Sequence, residues 1–319
     1  MKLKNVFAFL LGLLLVFSCS KGNSGAVKFT VVYGAAHGDK CFTTVAVAVN
    51  ANDGKIVDAF IDEYQYLAAG STVVPVPNGD KRGERQFGAN NVEGFVLASK
   101  KVNDAMYSKN MKDKAESTVS IKANYNAIEA YARGKAPSEI KSITAVSGAT
   151  LADTKNYLAL IAEAAEKAKA NTDSYFADDL SKVKIVSAEY AAHGEQGFAL
   201  VANVVEGNTI LAAFIDEFQY LDKASNVVGV PNSDKGFGEN YIEGKILCSK
   251  KQNTKVYSQM MADIAGATLS IDASYAAIED FAKNKAASAL NSVDGVSGST
   301  LADTSKYLKA IAYAVENSK

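Results

Sequence analysis

Two nearly identical stretches organise the chain: Ser147-Gly148-Ala149-Thr150-Leu151-Ala152-Asp153-Thr154 and Ser297-Gly298-Ser299-Thr300-Leu301-Ala302-Asp303-Thr304. In both, a Tyr-Leu pair follows at the same spacing, at 157–158 and 307–308. Each stretch opens a run in which apolar residues recur at helical spacing, so each is expected to begin a helix. The same local structure is therefore predicted twice.

A Ser-Gly-small-Thr step at the start of a helix suits a phosphate group. The first N–H groups of a helix have no partner within it, and the helix dipole places partial positive charge there. Gly148 and Gly298 allow close backbone approach, and Thr150 and Thr300 place a hydroxyl near the phosphate. A structural alternative remains open, because Thr-Leu-Ala-Asp also matches the capping box, in which the threonines serve only as helix caps.

Other recurring phrases set the number of domains. They are Ala-Ala-His-Gly at 35–38 and 191–194, Phe-Ile-Asp-Glu at 60–63 and 214–217, Val-Pro-Asn at 76–78 and 230–232, and Ser-Lys-Lys at 99–101 and 249–251. An internal repeat of this length predicts two domains of similar structure. We expect one domain at 27–170 and a second at 183–319, joined by a polar linker at 171–182.

The pattern within each repeat predicts an α+β fold. Frequent β-branched residues and a turn at Asn52-Asp53-Gly54 indicate strands at 27–33, 42–50 and 56–64. Helices are expected at 99–115, 124–133 and 151–168, with a short strand at 118–121. Each of the two tandem domains is therefore expected to be a small, mostly antiparallel sheet with helices packed on it.

The first residues resemble a lipoprotein signal peptide. Lys2 and Lys4 precede an apolar run at 6–17 that is too short to span a bilayer, and Ser18 precedes Cys19 as in a lipobox. We expect a signal peptide at 1–19, lipidation of Cys19, a flexible tether at 20–26 and an extracytoplasmic, membrane-anchored protein. Ordinary signal cleavage with secretion is the alternative.

The composition is that of a globular protein with no nucleic-acid site. The chain has 319 residues, 48% of them hydrophobic, and a net charge of −1 without any basic stripe. It contains no Ser-His-Asp arrangement, P-loop or dinucleotide fingerprint, so neither catalytic residues nor an NADH site of its own are predicted. Cys41 and Cys248 lie at non-equivalent positions and are expected to be buried thiols.

The second copy of the repeated stretch resembles a covalent flavinylation signature. Asp294, Ser297, Gly298, Ser299 and Thr300 match the pattern Asp-x-x-Ser/Thr-Gly-Ala/Ser-Thr of FMN-binding domains. That family includes the C subunit of sodium-translocating NADH:quinone reductase, and in it a flavin transferase joins the FMN phosphate to the last threonine. The resemblance implies a phosphoester at Thr300, with the other four residues as its surround.

The first copy matches the same signature except at its acidic position. Ser147, Gly148, Ala149 and Thr150 fit the pattern, and Thr144 stands where the signature has aspartate. The resemblance therefore implies that Thr150 carries a second FMN. With its two repeats and lipoprotein-like start, the chain is most similar to the two-domain extracellular electron-transfer flavoprotein lipoproteins of Gram-positive bacteria.

This resemblance implies an electron carrier rather than a self-sufficient reductase. Covalent FMN would receive electrons from a membrane quinol or NADH reductase and pass them to extracellular acceptors, and a flavin transferase would be a further partner. The alternative from the residues alone is a lipid-anchored protein that binds a small molecule or a partner. In that alternative Thr150 and Thr300 are only helix caps.

Two further groups are candidates for lining the flavin. His37 and His193 are the only histidines and occupy matching phrases, but they lie in separate predicted domains, so no metal site is predicted. They would line the flavin, or be loop residues copied by duplication. A second group alternates onto one strand face, where a ring could stack or simply pack in the core; it comprises Tyr64, Tyr66, Phe218 and Tyr220.

Overall fold

The computed structural model describes residues 23–318. The predicted signal peptide at 1–19 with its lipidation site Cys19, and residues 20–22 of the predicted tether at 20–26, lie outside the described residues. The last two residues of that tether, Gly25 and Ala26, begin the first strand. Between residues 23 and 318, no helix has both the length and the apolar character needed to cross a membrane.

Two antiparallel sheets form the framework of the fold. The first has the order β4-β3-β2-β1-β5 and comprises β1 (Gly25–Gly34), β2 (Cys41–Asn50), β3 (Ile56–Ala68), β4 (Phe95–Ser99) and β5 (Tyr175–Ala177). The second has the order β10-β8-β7-β6, with β9 also paired to β8. It comprises β6 (Val183–Tyr190), β7 (Gly197–Glu206), β8 (Thr209–Asp222), β9 (Lys245–Ser249) and β10 (Lys285–Ala286). The predicted linker thus supplies β5, which pairs with β1.

Helices cover one face of each sheet. Those of the first half are α1 (Asp104–Ala115), α2 (Ile121–Ala132), α3 (Pro137–Ile140) and α4 (Thr154–Ala170), and those of the second half are α5 (Thr254–Ala265), α6 (Ile271–Ala282) and α7 (Thr304–Glu316). In the first half Ile128, Leu158 and Ile161 pack on the strand residues Val47 and Ile61. The fold is therefore α+β, as predicted.

Three local predictions in the first half are wrong. Residue 99 ends strand β4, which the sequence analysis missed, and the helix begins only at Asp104. The stretch 118–121 is a turn into α2 rather than a strand, because the Ser120 side chain accepts a hydrogen bond from the Ala123 N–H and caps that helix. The last helix of this half begins at Thr154 rather than at residue 151.

The remaining faces of the two sheets pack against each other. Aromatic rings from both halves meet there: the ring centroids of Phe42 and Phe218 lie 5.5 Å apart, and those of Tyr64 and Phe198 lie 6.0 Å apart. Aliphatic side chains from both halves continue the contact. Because helices cover one face and the other sheet covers the opposite face, β2 and β7 are buried along almost their whole length.

Each half also holds the histidine-bearing loop of the other half. The Asn232 side-chain amide donates to the carbonyl oxygens of Gly38 and Cys41, at 3.0 and 2.7 Å. Asn78 makes the matching contacts in the other direction, to the carbonyl oxygens of Gly194 and Gly197 at 2.9 and 2.8 Å. The loops at 77–81 and 231–235, which carry these asparagines, therefore fix the contact between the halves.

Replacing Asn232 should weaken the fold through these two hydrogen bonds. Asn232 is 7% exposed and has a backbone φ of 65°. We expect Asn232→Ala to lower the free energy of unfolding by about 1–3 kcal/mol, because two carbonyl groups lose their donor. Urea denaturation followed by circular dichroism measures the change.

Asn226→Ala is the matched control for this prediction. Asn226 has a similar backbone φ of 58° and is exposed, and no side-chain hydrogen bond is found for it within residues 23–318. Both variants put alanine into a left-handed conformation, so the difference between them isolates the hydrogen bonds. Equal losses of stability in the two variants would contradict the prediction.

Candidate functional site

Each half contains a cavity beside the threonine that the signature predicts to carry FMN, Thr150 or Thr300. The cavity of the first half has a volume of about 440 Å³, and that of the second half about 400 Å³. The residues that line the two cavities occupy corresponding positions in the repeat. They include His37, Lys100, Tyr107, Met111, Ile121, Thr150, Leu151 and Tyr157 in the first, and His193, Lys250, Tyr257, Met261, Ile271, Thr300, Leu301 and Tyr307 in the second.

The cavity of the first half lies between the edge of the sheet and the helices. His37 comes from the loop after β1, and Lys100 follows β4. Tyr107 and Met111 project from α1, which has no fully buried residue. Aromatic and aliphatic walls with a few polar groups are typical of sites for small organic molecules, and the volume lies within the range of such sites.

The threonine in each half follows a tight glycine turn. The N–H of Ala149 donates to the carbonyl oxygen of Val146 at 3.2 Å, and Gly148 between them has a φ of 87°. The second half repeats this turn, with a φ of 89° at Gly298. A positive φ at this turn position favours glycine, so turn geometry explains both glycines.

Neither threonine is a helix cap. Helix α4 begins at Thr154 and α7 at Thr304, and the N-cap residues are Asp153 and Asp303. The prediction that a helix begins directly after Thr150 and directly after Thr300 is therefore wrong, because each helix begins at the fourth residue after that threonine. The predicted capping box and the predicted phosphate site at first-turn N–H groups are wrong for the same reason. Thr150 is exposed at its cavity instead, as is Thr300.

The aspartates at the two N-cap positions, Asp153 and Asp303, bind the histidines through their side chains. His37 Nδ1 lies 2.6 Å from Asp153 Oδ2, and His193 Nδ1 lies 3.0 Å from Asp303 Oδ2. Neither aspartate caps its helix through its side chain. Burial alone would raise the pKa of the Asp303 carboxyl, but Lys306 and His193 hold it below its usual range. The carboxylates thus fix each imidazole at the mouth of its cavity, with Nε2 as the other polar atom of the ring.

A buried ion pair forms the floor of the first cavity. Lys100 Nζ lies 2.6 Å from Glu63 Oε2, and the side chains are 1% and 0% exposed. The Glu63 carboxylate also accepts from the Thr43 hydroxyl at 2.8 Å and the Tyr125 hydroxyl at 3.0 Å. Burial alone would raise the pKa of Glu63 and lower that of Lys100, but their mutual attraction reverses both shifts.

The second half contains the matching ion pair with fewer neutral donors. Lys250 Nζ lies 2.8 Å from Glu217 Oε1, and the side chains are 2% and 0% exposed. Tyr307 donates to the other carboxylate oxygen. Ala199 stands at the position of Thr43, so it supplies no hydroxyl here. The Glu217 carboxylate consequently depends more on its lysine than Glu63 does.

The sequence analysis missed both ion pairs. Ser-Lys-Lys and Asp-Glu indicate only the repeat in the sequence analysis, although acidic residues that recur unchanged within predicted strands are a signal of a buried ion pair. Asp62, the neighbour of Glu63 in β3, points to the opposite face of the strand. Asp62 accepts from the Ser99 hydroxyl at 2.6 Å, and its pKa is raised by burial.

The four candidate stacking residues lie in the contact between the sheets. Tyr64, Tyr66, Phe218 and Tyr220 are at most 6% exposed and belong to the aromatic cluster described above. Within residues 23–318, none of them lines either threonine cavity. The structure therefore gives them the packing role and no contact with the space in either threonine cavity. Cys41 and Cys248 are buried and free, as predicted.

The signature residues before each threonine lie at the surface. Asp294, Ser297 and Gly298 are exposed, as are Thr144, Ser147 and Gly148 in the first half, while Ala149 and Ser299 are half-buried. The two threonines differ in their neighbours. The Thr150 N–H donates to Asn124 Oδ1 at 2.6 Å, whereas the matching residue Ser274 has a buried hydroxyl for which no partner is found in the described part of the chain.

The chain has no match among models of protein families, curated proteins or solved structures. Its resemblance to FMN-binding domains therefore stays a prediction that rests on the signature residues and on the repeat.

Removing one member of a floor ion pair should cost more than removing both. Lys250→Met leaves the Glu217 carboxylate buried without its cation, and we expect the free energy of unfolding to fall by about 3–5 kcal/mol. The double variant Lys250→Met/Glu217→Gln keeps similar volumes without a buried charge, so it should recover most of that loss. Urea denaturation measures both.

Lys100→Met is the internal comparison, because Thr43 and Tyr125 still donate to Glu63 there. We expect a smaller loss from Lys100→Met than from Lys250→Met. A double variant as unstable as Lys250→Met would contradict the account of the pair.

Proposed function

We propose that the chain is a lipid-anchored, extracytoplasmic electron-transfer flavoprotein made of two tandem FMN-binding domains. In this proposal FMN is joined through its phosphate to Thr300 and to Thr150, and Cys19 carries the lipid. The observation that supports it is the pair of cavities, which share their lining positions and each present the threonine of a flavinylation signature.

The residues present fit a flavin in each cavity. In the first half, Thr150 would hold the phosphate, Tyr107 and Met111 would form an apolar wall for the ring, and Lys100 would lie below it. Corresponding residues would do the same beside Thr300. A bound flavin would supply the electron-transfer chemistry, which the side chains of this chain do not provide.

The exposed signature fits recognition by a flavin transferase. Asp294, Ser297 and Thr300 are all exposed, so a second protein can reach the residues that the signature requires. The glycine turn presents the threonine hydroxyl without burying it inside a helix.

The histidines are placed to bind a ligand at the cavity mouth. The His37 and His193 side chains are 48% and 39% exposed, and each is oriented by its aspartate. An imidazole held through Nδ1 can donate or accept at Nε2, where a bound ring or phosphate would be within the same cavity.

The exposed threonines also support exchange of electrons with other proteins. A membrane quinol or NADH reductase would be the donor and an extracellular molecule the acceptor. Two cofactor sites on one tether would remain at high effective concentration relative to each other and to a membrane donor.

The alternative is a lipid-anchored binding protein for a small molecule or a partner. Its explanation for the threonines was helix capping, and the placement of α4 and α7 removes that explanation. The cavities also suit a non-covalent ligand, so a covalent FMN adduct is the property that separates the two proposals.

The test is intact mass spectrometry with in-gel flavin fluorescence after denaturation. The protein is exported from a host that carries a flavin transferase, together with Thr150→Ala and Thr300→Ala. We expect two FMN adducts on the wild-type chain and the loss of one in each variant, because each hydroxyl forms its own phosphoester.

Ser142→Ala in the first half is a control that removes an exposed hydroxyl outside the signature and keeps the acceptor hydroxyl, so it should retain both adducts. A single adduct that disappears only with Thr300→Ala would restrict the proposal to the second half. No adduct in the presence of a working transferase would contradict the proposal and favour the binding protein.

A further inference from the structure

In the ion pair at the floor of each cavity, the lysine is the member that faces the cavity. Lys250 lines the second cavity, and Lys100 lines the first. Their partners Glu217 and Glu63 lie in β8 and β3, and neither is among the described residues that line these cavities. The positive end of a buried dipole therefore faces each cavity.

Few other charges face the second cavity. Apart from its tyrosines, the titratable lining groups besides Lys250 are His193 and Asp303, which bind each other at 3.0 Å. Besides its tyrosines, the titratable groups that line the first cavity are Lys100, His37 and Glu116 at the end of α1. Asp153 binds His37 but does not line this cavity. Lys250 is thus the one lysine among the described residues that line the second cavity, and its carboxylate partner Glu217 lies outside that lining.

Burial strengthens the electrostatic effect of the Lys250 ammonium on a ligand in the cavity. The Lys250 side chain is 2% exposed, so water and salt screen it far less than a surface lysine. The Glu217 carboxylate keeps the lysine protonated, and the pKa of Lys250 stays above its usual range although burial opposes this. The Lys250–Glu217 pair therefore keeps a protonated ammonium group beside the cavity, where solvent screens it poorly.

We propose that the Lys250–Glu217 and Lys100–Glu63 pairs set the reduction potential of the flavin in each cavity by favouring its more negative form. This inference rests on the proposed function, because it concerns the same two cavities. A donor that delivers two electrons and one proton to a bound ring leaves it with one additional negative charge. The lysine end of the dipole stabilises that charge, so it raises the potential.

The experiment measures the potential of the second cavity alone. Thr150→Ala restricts FMN to Thr300, and the full exported chain is titrated with dithionite in the presence of reference dyes. Into this background we introduce Lys250→Met/Glu217→Gln, which removes the dipole and is expected to fold. The reduced form should lose about tenfold in stability relative to the oxidised form, which lowers the potential by about 30 mV for a two-electron couple.

A neighbouring ion pair provides the matched control. Lys251 Nζ lies 2.6 Å from Glu279 Oε1 with side chains 24% and 15% exposed, and neither residue lines the second cavity. Lys251→Met/Glu279→Gln removes one half-buried ion pair from the same region of the chain. It should leave the potential unchanged.

The outcomes separate this inference from the proposed function. FMN on Thr300 with an unchanged potential in Lys250→Met/Glu217→Gln overturns the inference and leaves the proposed function standing. An equal shift in the control pair also overturns it, because the effect would not come from the cavity floor. No adduct at all overturns both. If the Met/Gln variant does not fold, Lys250→Gln/Glu217→Gln serves for the same comparison.

Discussion

The packing of the two sheets against each other is the constraint on which both cavities depend. The shared cluster of aromatic rings covers the faces that the helices leave open, so neither sheet is left with an uncovered apolar face. Asn78 and Asn232 then hold the opposite histidine loops by their backbone carbonyls. Because these loops carry His37 and His193, the mouth of each cavity is positioned partly by the other half.

Charge is arranged in layers around each cavity. A lysine and a glutamate are fully buried at the floor, while a histidine and an aspartate meet at the mouth. Between them lie apolar walls from one helix and the segment after the threonine. This layering suits a ligand with an apolar body, an anionic group at the threonine and an edge that gains negative charge. It is the physical basis of both proposals.

Local pattern predicted much of the fold and little of the site. Alternation and the turn at residues 52–54 indicated the first three strands, and the repeat indicated that the second half has matching elements. The helix starts were misplaced because Asp153 and Asp303 bind histidines instead of forming a capping box with the threonines. The His–Asp and Lys–Glu contacts join residues far apart in sequence, so only tertiary structure brings them together. The acidic residues that recur unchanged in predicted strands, Glu63 and Glu217, were the one available signal.

The central claim is that a flavin on each threonine fills the cavity beside it. Hydrogen–deuterium exchange tests this directly, by comparing the exported flavin-bearing chain with Thr150→Ala/Thr300→Ala made in the same host. The account predicts slower exchange with flavin in α1, in α5 and in the loops at 36–40 and 192–196, because these segments form the walls and mouths of the cavities. Flavin-bearing protein with unchanged exchange in all four segments would contradict it.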